Sequence, residues 1–337
     1  MVVDNMIDVR NVYFSYPDGV NALKSVTFTV KKGEKCAILG ENGSGKTTLL
    51  MCMAGLLHYK GRIVVDGLEV NKKNERLIRR KVGIVFQNPD DQVFLPRVYD
   101  DVAFALRNFG MNEDEIRKRV LWSLNALDIV EIKDRSPSSL SLGQKKRVAI
   151  AGVLAVNPDV LLIDEPTAGL DHRGILEIYN VLEELNEAGK TVIITTHDVE
   201  FAESWADRVI VLTHGKVAKV GGREILDELE KFGMRRPIKR VVFNELGVKV
   251  EGAKIEPVDE LSNRKTEVFG YGVDGVIPEI DMDIILLRGL NNPVKIKVAR
   301  KLRNRFMETV KHKKAKIVNN NLLSDSCFNL PQSDRPE

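Results

Sequence analysis

A glycine-rich run between an apolar segment and a helix-competent segment restricts the fold of this chain more than any other feature. Residues 40–47 read Gly-Glu-Asn-Gly-Ser-Gly-Lys-Thr; the apolar residues 36–39 precede them and the segment 47–57 follows. Glycines at these spacings let the backbone curl so that its N–H groups face a phosphate, and the helix start adds partial positive charge. A chance glycine-rich turn is the alternative, but strand, loop, helix and Lys-Thr pair are all in register. The run predicts a phosphate-binding loop in an α/β domain.

The rest of the first 240 residues supports an α/β domain with a central sheet. Residues 7–14 and 26–30 alternate apolar with polar side chains, as half-buried strands do. Continuous apolar runs at 36–39, 160–163 and 192–195 are typical of strands covered on both faces. The stretch from 87 to 141 is helical in character, notably 114–127. We therefore predict a domain over residues 1–240 with a helical subdomain inserted at about 88–155.

The remaining residues predict a small α+β appendage over 241–318 and a flexible tail over 319–337. Strands are expected at 267–273 and 283–287, and a helix at 294–312 with its apolar face formed by Val294, Val298, Leu302, Phe306 and Val310. Residues 295–316 carry ten Lys or Arg and one acid, Glu308. Such a helix either lies on anionic lipid or nucleic acid, or packs on its own domain. Assistance of dimerisation and regulation of turnover are both open hypotheses for this appendage.

Composition excludes several classes of protein. A net charge of +3 over 337 residues is too balanced to indicate a polyanionic partner for the whole chain. The three cysteines, Cys36, Cys52 and Cys327, have no metal-ligand spacing, and the five histidines do not cluster, so a soft or borderline metal is not expected to bind here. The sequence has neither an apolar run of about 18 residues nor a secretory signal, which predicts a cytoplasmic protein.

Chemistry is expected where the phosphate loop meets two later segments. Lys46 should reach the β- and γ-phosphates of a nucleotide, and the Thr47 hydroxyl should bind Mg²⁺. The apolar run 160–163 ends in Asp164, a Mg²⁺ ligand by its oxygens, and Glu165, the candidate general base. Two solvated acids at a strand end are the alternative. His197, after the apolar run 192–195, is a candidate hydrogen-bond donor to the γ-phosphate.

A second anion site is predicted about a hundred residues after the loop. Residues 140–144 read Leu-Ser-Leu-Gly-Gln, and Ser141 with the helix start at Gln144 offers donors to an anion. The phosphate loop already surrounds one side of ATP, so the second site is useful only if another chain supplies it. ATP would then join two chains, and loss of the γ-phosphate would open the dimer.

Together these motifs resemble the ATP-binding cassette family over about the first 240 residues. The resemblance implies that Tyr16 stacks on adenine and that Gln87 contacts Mg²⁺ and water and senses a membrane partner. It implies that Ser141 to Gln144 bind the γ-phosphate held by the other cassette and that Asp171 lies in the loop crossing the dimer interface. Leu142 stands where the family usually has glycine, and we expect altered loop flexibility rather than lost function.

The predicted site is therefore an ATP and Mg²⁺ site with three sets of residues. The catalytic candidates are Glu165, His197 and Gln87, and the Mg²⁺ candidates are Thr47, Gln87 and Asp164. The nucleotide-contact candidates are Tyr16, Gly40, Glu41, Asn42, Gly43, Ser44, Gly45, Lys46, Thr47, Thr48, Ser141, Gly143, Gln144 and Asp171.

The family contains transporter motors and soluble proteins that act on nucleic acid. The short insert and the single cassette favour the transporter. Residues 86–94, 100–104 and 143–152 are similar to ATPases of energy-coupling-factor importers, especially those for cobalt and nickel; importers of vitamins use closely similar ATPases. The polar run 90–92 would face a membrane subunit, although a solvated loop explains it equally well. The resemblance implies a second cassette, identical or paralogous, integral membrane subunits as partners, no nucleic acid, and a peripheral location at the cytoplasmic face of the membrane.

Overall fold

A computed structural model describes residues 5–237 and, further along the chain, residues 253–257, 282–288, 294–299 and 316–319. The chain divides into two compact units, Met1–Arg235 and Arg236–Glu337. The predicted strand at 267–273 lies outside the described residues, as does the predicted tail after Asn319.

The first unit alternates strands and helices. Its strands are β1 Asn5–Ser15, β2 Asn21–Lys31, β3 Lys35–Leu39, β4 Lys60–Val65, β5 Leu68–Glu69, β6 Val82–Val85, β7 Val160–Asp164, β8 Thr191–Thr196, β9 Arg208–Thr213 and β10 Lys216–Gly221. Its α-helices are α1 Lys46–Met53, α2 Glu75–Lys81, α3 Val98–Asn108, α4 Glu113–Ala126, α5 Leu142–Val156, α6 His172–Glu187 and α7 Val199–Trp205. Short 3₁₀ segments lie at Pro89–Asp91, Val130–Ile132, Pro137–Ser139 and Arg223–Phe232.

The central sheet carries the chemistry. Its described strands follow the order β10-β9-β3-β8-β7-β6, and all neighbours are parallel except β10 and β9. Every residue of β7 and β8 is buried, which explains why these segments are continuous apolar runs rather than alternating ones. In such a sheet, functional groups gather beyond the carboxyl ends of the strands.

A second sheet, in the order β2-β1-β4-β5, is antiparallel. Helix α1 joins it to the central sheet, because Leu49, Leu50 and Met53 share one hydrophobic cluster with Ile7 of β1 and Ile38 of β3. Complete burial of one such side chain contributes about 1.5–3 kcal/mol to stability. The helix that follows the phosphate loop is therefore anchored from both sheets.

The predicted mixed α/β fold with an inserted helical part is confirmed. Helices α3 and α4 lie within the predicted insert and pack on α5. Helix α1 ends earlier than predicted, at Met53 instead of residue 57. The physical reason is Gly55, whose φ of +72° belongs to the left-handed conformation that ends helices.

The second unit corrects one prediction. Residues predicted as a helix from 294 begin with strand β13 Val294–Ala299, paired antiparallel with β11 Ala253–Pro257 and β12 Met282–Arg288; β12 also pairs with β14 Lys316–Asn319. The predicted basic amphipathic helix is therefore wrong over 294–299, where Val294, Ile296 and Val298 alternate with lysines and alanine at the period of a strand. The strand predicted at 283–287 is confirmed by β12.

Candidate active site

The phosphate loop lies between β3 and α1, as the sequence predicts. Gly43 and Gly45 have φ of +78° and +102°, a conformation that side chains with a Cβ rarely adopt. A Cβ on Gly45 would also lie 2.6 Å from the carbonyl oxygen of Ala22. These glycines let the backbone turn tightly enough to bring α1 in behind the loop.

Lys46, the first residue of α1, is held inside the loop. Its Nζ donates to the carbonyl oxygens of Gly40 at 2.8 Å and Glu41 at 3.2 Å, and lies 3.5 Å from Glu165 Oε1. The side chains of Lys46 and Glu165 are both buried, with exposures of 6% each. A buried cation with such partners is a preformed contact for an anion that enters the loop.

The side chains of Thr47 and Asp164 are in direct contact. Thr47 Oγ1 donates to Asp164 Oδ2 at 2.6 Å, and Thr195 on β8 donates to the other carboxylate oxygen of Asp164. The set of hydroxyl and carboxylate oxygens fits Mg²⁺, which prefers oxygen ligands. Gln87 lines a cavity together with Thr47 and could add an amide oxygen.

Glu165 is placed by an unusual backbone conformation. Its φ is +45°, and its N–H faces both the carbonyl oxygen of Thr195 at 3.1 Å and Thr195 Oγ1 at 3.2 Å. The carboxylate lies between Lys46 and His197. His197 Nδ1 lies 2.9 Å from Glu165 Oε2, and the His197 side chain is 63% exposed. A buried carboxylate with an exposed histidine on one side can accept a proton from water in the cavity.

A cavity of about 460 Å³ brings most of these groups together. The predicted residues that line it are Tyr16, Asn42, Gly43, Gly45, Lys46, Thr47, Thr48, Gln87 and Glu165. Tyr16 lies with its hydroxyl 2.9 Å from Thr48 Oγ1 and its ring at 4.8 Å, edge to face, from Phe14. Tyr16 therefore lies beside the first turn of α1.

Sequence reasoning missed another part of this cavity. The cavity is also lined by residues around the start of β2 and in the β9–β10 turn: Val20, Asn21, Ala22, Lys24, His214 and Gly215. The turn at Gly215 is bonded to the loop, because its N–H donates to the Ser44 carbonyl at 3.0 Å and its carbonyl accepts from Lys24 N–H at 2.7 Å. The dipeptide His214-Gly215 predicts only a turn, so nothing in the local sequence linked it to the nucleotide site.

The second group of predicted residues does not line that cavity. Ser141 is exposed and begins α5 with a capping box: Gln144 N–H donates to Ser141 Oγ at 3.3 Å, and Ser141 N–H donates to Gln144 Oε1 at 3.1 Å. Asp171, also exposed, begins α6 by accepting from Gly174 N–H at 2.8 Å. Both helix starts are well formed, and neither lines the Lys46 cavity of its own chain.

A separate groove of about 740 Å³ lies between the sheet and the helical insert. Its apolar lining includes Leu56, Phe94, Phe104 and Phe109. Phe94 and Phe104 are 62% and 42% exposed and pack edge to face at 5.3 Å. A contiguous exposed apolar surface of this kind is a candidate surface for binding a partner.

The polar run 90–92 beside the groove has mixed roles. Asp90 forms an ion pair with Lys145 at 2.6 Å. Gln92 is structural, since its side chain accepts from Phe86 N–H at 3.1 Å and donates to the Ile84 carbonyl at 3.2 Å. Asp91 is exposed.

Comparison with known proteins settles the family. The sequence model of the ABC transporter family matches residues 23–168, a span that contains the phosphate loop, Ser141 and Glu165. The energy-coupling factor transporter ATP-binding protein EcfA of Carboxydothermus hydrogenoformans is 46% identical over 243 residues, which cover 71% of this chain and 90% of that protein. EcfA of Methanocaldococcus jannaschii is 44% identical, over 69% of this chain and 86% of that protein.

This chain belongs to the ATP-binding cassette family. The cassette is an ATPase, and the predicted resemblance is confirmed. Among solved structures, it is similar to CbiO1 of Clostridium perfringens, described as part of the ABC transporter complex cbiONQ, with 41% identity, a TM-score of 0.63 and coverage of 72% of this chain and 96% of that one. It is also similar to a dimeric ATP-binding cassette in a post-hydrolysis state bound to ADP and Pi, with 34% identity, a TM-score of 0.59 and coverage of 65% and 99%.

No helix within the described part of the cassette is long and apolar enough to cross a membrane.

Proposed function

We propose that this cassette is the ATP-hydrolysing motor of an importer of the energy-coupling-factor type, and that it works as a dimer at the cytoplasmic face of the membrane. The observation that carries the proposal is the separation of Ser141 from the Lys46 cavity. The Ser141 oxygen accepts a bond within α5, which leaves its proton free to donate to a phosphate. That phosphate belongs to ATP held by another chain.

The site residues then have distinct roles in hydrolysis. Lys46 binds the β- and γ-phosphates, and Thr47, Gln87 and Asp164 would hold Mg²⁺, which would neutralise charge on the phosphate oxygens. Glu165 accepts the proton of the attacking water. His197, next to Glu165 Oε2, orients that carboxylate and donates toward the γ-phosphate. Tyr16 stacks on the adenine ring.

Dimer opening and closing is the mechanical output. The γ-phosphate is held by Lys46 of one chain and Ser141 of the other, and charge-assisted hydrogen bonds of this kind contribute about 1.5–3 kcal/mol each. Hydrolysis removes these bonds, so the two chains separate. Asp171, at the start of α6, lies in the loop that crosses the interface.

The groove lined by Phe94 and Phe104 is the proposed contact for the membrane subunits. Its apolar lining suits the apolar face of an amphipathic helix, and the basic residues Lys72, Lys73, Arg76 and Arg79, which also line the groove, suit acidic or polar flanks of that helix. Gln87 joins the two regions, because it lines the nucleotide cavity and follows β6, whose residue Ile84 lines the groove.

Cobalt or nickel is the proposed cargo. Support comes from the similarity of residues 86–94 to ATPases of cobalt and nickel importers and from the likeness to CbiO1. The membrane subunits would hold the metal ion.

A mild-detergent pull-down of the tagged cassette from its own cells, read by mass spectrometry, tests this function. Integral membrane proteins should be recovered, and Phe104→Glu should lose them. Trp122→Glu is the matched control, because Trp122 is 54% exposed and does not line the groove. Recovery of only soluble partners or nucleic acid with the unmodified chain would reject the importer function.

A further inference from the structure

Lys146 is a buried lysine with an unusual set of partners. It lies in the second turn of α5, and its residue exposure is 4%. Its Nζ donates to the carbonyl oxygens of Glu165 at 3.2 Å, Pro166 at 3.0 Å and Ala168 at 2.8 Å. An ammonium group has three N–H donors, and here each has a carbonyl acceptor.

The three carbonyls belong to one loop, residues 165–171, which runs from the proposed base to the start of α6. The loop begins with Glu165 in its left-handed conformation and ends with Asp171. A single side chain from α5 therefore binds the loop on the side of Glu165. Because the backbone at Glu165 sets the direction of its carboxylate, Lys146 also influences that direction.

Leu142 and Gly143 add a second contact between α5 and the same loop. A Cβ on Gly169 would lie 2.9 Å from Leu142 Cδ2, and a Cβ on Gly143 would lie 3.7 Å from Leu170 Cδ2. The first turn of α5 thus packs directly on the loop. Leu142, where the family usually has glycine, supplies part of this packing.

We propose that Lys146 is a positioning residue for Glu165: by holding the loop 165–171 against α5, it keeps the Glu165 carboxylate facing Lys46 and the attacking water. The assignment rests on the proposed two-chain function. Within that function Ser141, at the start of the same helix, binds ATP of the partner. Lys146 then links Glu165, the base for the ATP bound by its own chain, to α5, the helix whose Ser141 binds the ATP of the partner chain.

The chemistry of the contact supports positioning over simple adhesion. Burial lowers the pKa of Lys146 to about 8, and the nearby charges of Glu165 and Asp164 partly oppose this effect. A buried ammonium is costly, and its three hydrogen bonds to carbonyl oxygens offset part of that cost; an apolar side chain would leave these three acceptors without a donor. The cation stays within the field of both carboxylates of the site.

A double-mutant cycle between Lys146 and Glu165 tests the proposal on the full chain. Lys146→Met should lower kcat for ATP by about 10–100-fold, because small misplacements of a catalytic group cost up to about 10²-fold. The KM for ATP should stay within about threefold. In the Glu165→Gln background, the same substitution should change the residual rate, measured by single-turnover hydrolysis, by less than about twofold.

Lys190→Met is the matched control. Lys190 is also partly buried and donates to Asn157 Oδ1 at 2.7 Å, at the other end of α5. It should lower the Tm without changing kcat by more than about twofold. If Lys146→Met does not fold, Lys146→Gln, which keeps two N–H donors, enters the same cycle.

The outcomes separate clearly. A kcat of Lys146→Met within about twofold of the unmodified chain overturns the positioning role. An equal loss of rate with Glu165 and in the Glu165→Gln background also overturns it, because general destabilisation would give that result. Loss confined to the background with Glu165 supports it. An unmodified chain that neither binds nor hydrolyses ATP would reject the proposed function itself, before Lys146 is considered.

Discussion

Replacement of Glu165 by glutamine is the most direct perturbation of the proposed chemistry, because it removes one charge and keeps the shape of the side chain. A positioned general base contributes about 10²–10⁴-fold to a rate. We therefore expect kcat to fall by this factor, equivalent to about 2.7–5.5 kcal/mol in the activation free energy. The loss should be near the upper end, because the carboxylate is buried and lies between Lys46 and His197.

ATP binding should survive the same substitution. Lys46 Nζ lies 3.5 Å from Glu165 Oε1. At an effective dielectric constant of about 20, the gross attraction between two unit charges at this distance is about 5 kcal/mol. Phosphate must compete with that attraction for Lys46. Removal of the charge should leave the Kd for ATP unchanged or tighten it up to about tenfold.

The assay combines steady-state hydrolysis, titration with a fluorescent ATP analogue, and size-exclusion chromatography with ATP and Mg²⁺. Glu165→Gln should elute as a dimer with ATP retained. Glu183→Gln is the control, because Glu183 also pairs with a lysine, Lys35, at 3.0 Å, but does not line the nucleotide cavity. Hydrolysis by Glu165→Gln within about tenfold of the unmodified chain would refute the assignment of Glu165 as base.

Three further predictions concern the same machinery. Ser141→Arg should leave the Kd for ATP within about threefold and abolish the ATP-dependent dimer in size-exclusion chromatography, because Ser141 does not line the cavity of its own chain; a persistent dimer would contradict the two-chain site. His197→Ala should lower kcat by about 10–100-fold with little change in KM, since it loses one charge-assisted contact, at 2.9 Å from Glu165 Oε2, of about 1.5–3 kcal/mol; an unchanged kcat would remove His197 from the mechanism. Burial in the folded state lowers the pKa of Lys146 from 10.5 to about 8, so the unfolded chain binds more protons between these two pH values. The free energy of unfolding, measured relative to that of Lys146→Met, should therefore rise with pH across this window. Urea unfolding of both proteins at about pH 7.5 and about pH 10 measures that difference, and a fall would contradict the assigned shift.

Features set by local pattern were predicted well from the sequence. The phosphate loop, the buried strands β7 and β8, and the helical insert each depend on neighbours within a few residues, and the structure has them at the expected places. Ser141 was predicted at the start of a helix, and α5 begins there, with a capping box between Ser141 and Gln144 that the structure adds.

Features that depend on tertiary contacts were not predictable in this way. The left-handed conformation of Glu165 is fixed by Thr195 on a neighbouring strand, and the role of Lys146 depends on carbonyls about twenty residues away. His214 reaches the cavity only because β9 lies beside β3. The helix predicted at 294 failed for another reason: Val294 and Val298 fit a spacing of four, but Ile296 between them fits a spacing of two, and pairing with two strands decided the outcome.

The groups expected to carry out hydrolysis follow three adjacent strands, β3, β7 and β8, joined by parallel backbone pairing. Neighbouring strands lie about 4.8 Å apart, and this spacing is among the least variable dimensions in a protein. The pairing of these strands therefore holds Glu165, Lys46 and His197 close to one another. In the proposed function, we therefore expect the timing of hydrolysis to depend on groups that bind at this site: the nucleotide, Ser141 of a second chain, and a membrane subunit near Gln87. Substitutions or inhibitors that change the timing of hydrolysis without changing its chemistry should therefore be sought where those groups bind.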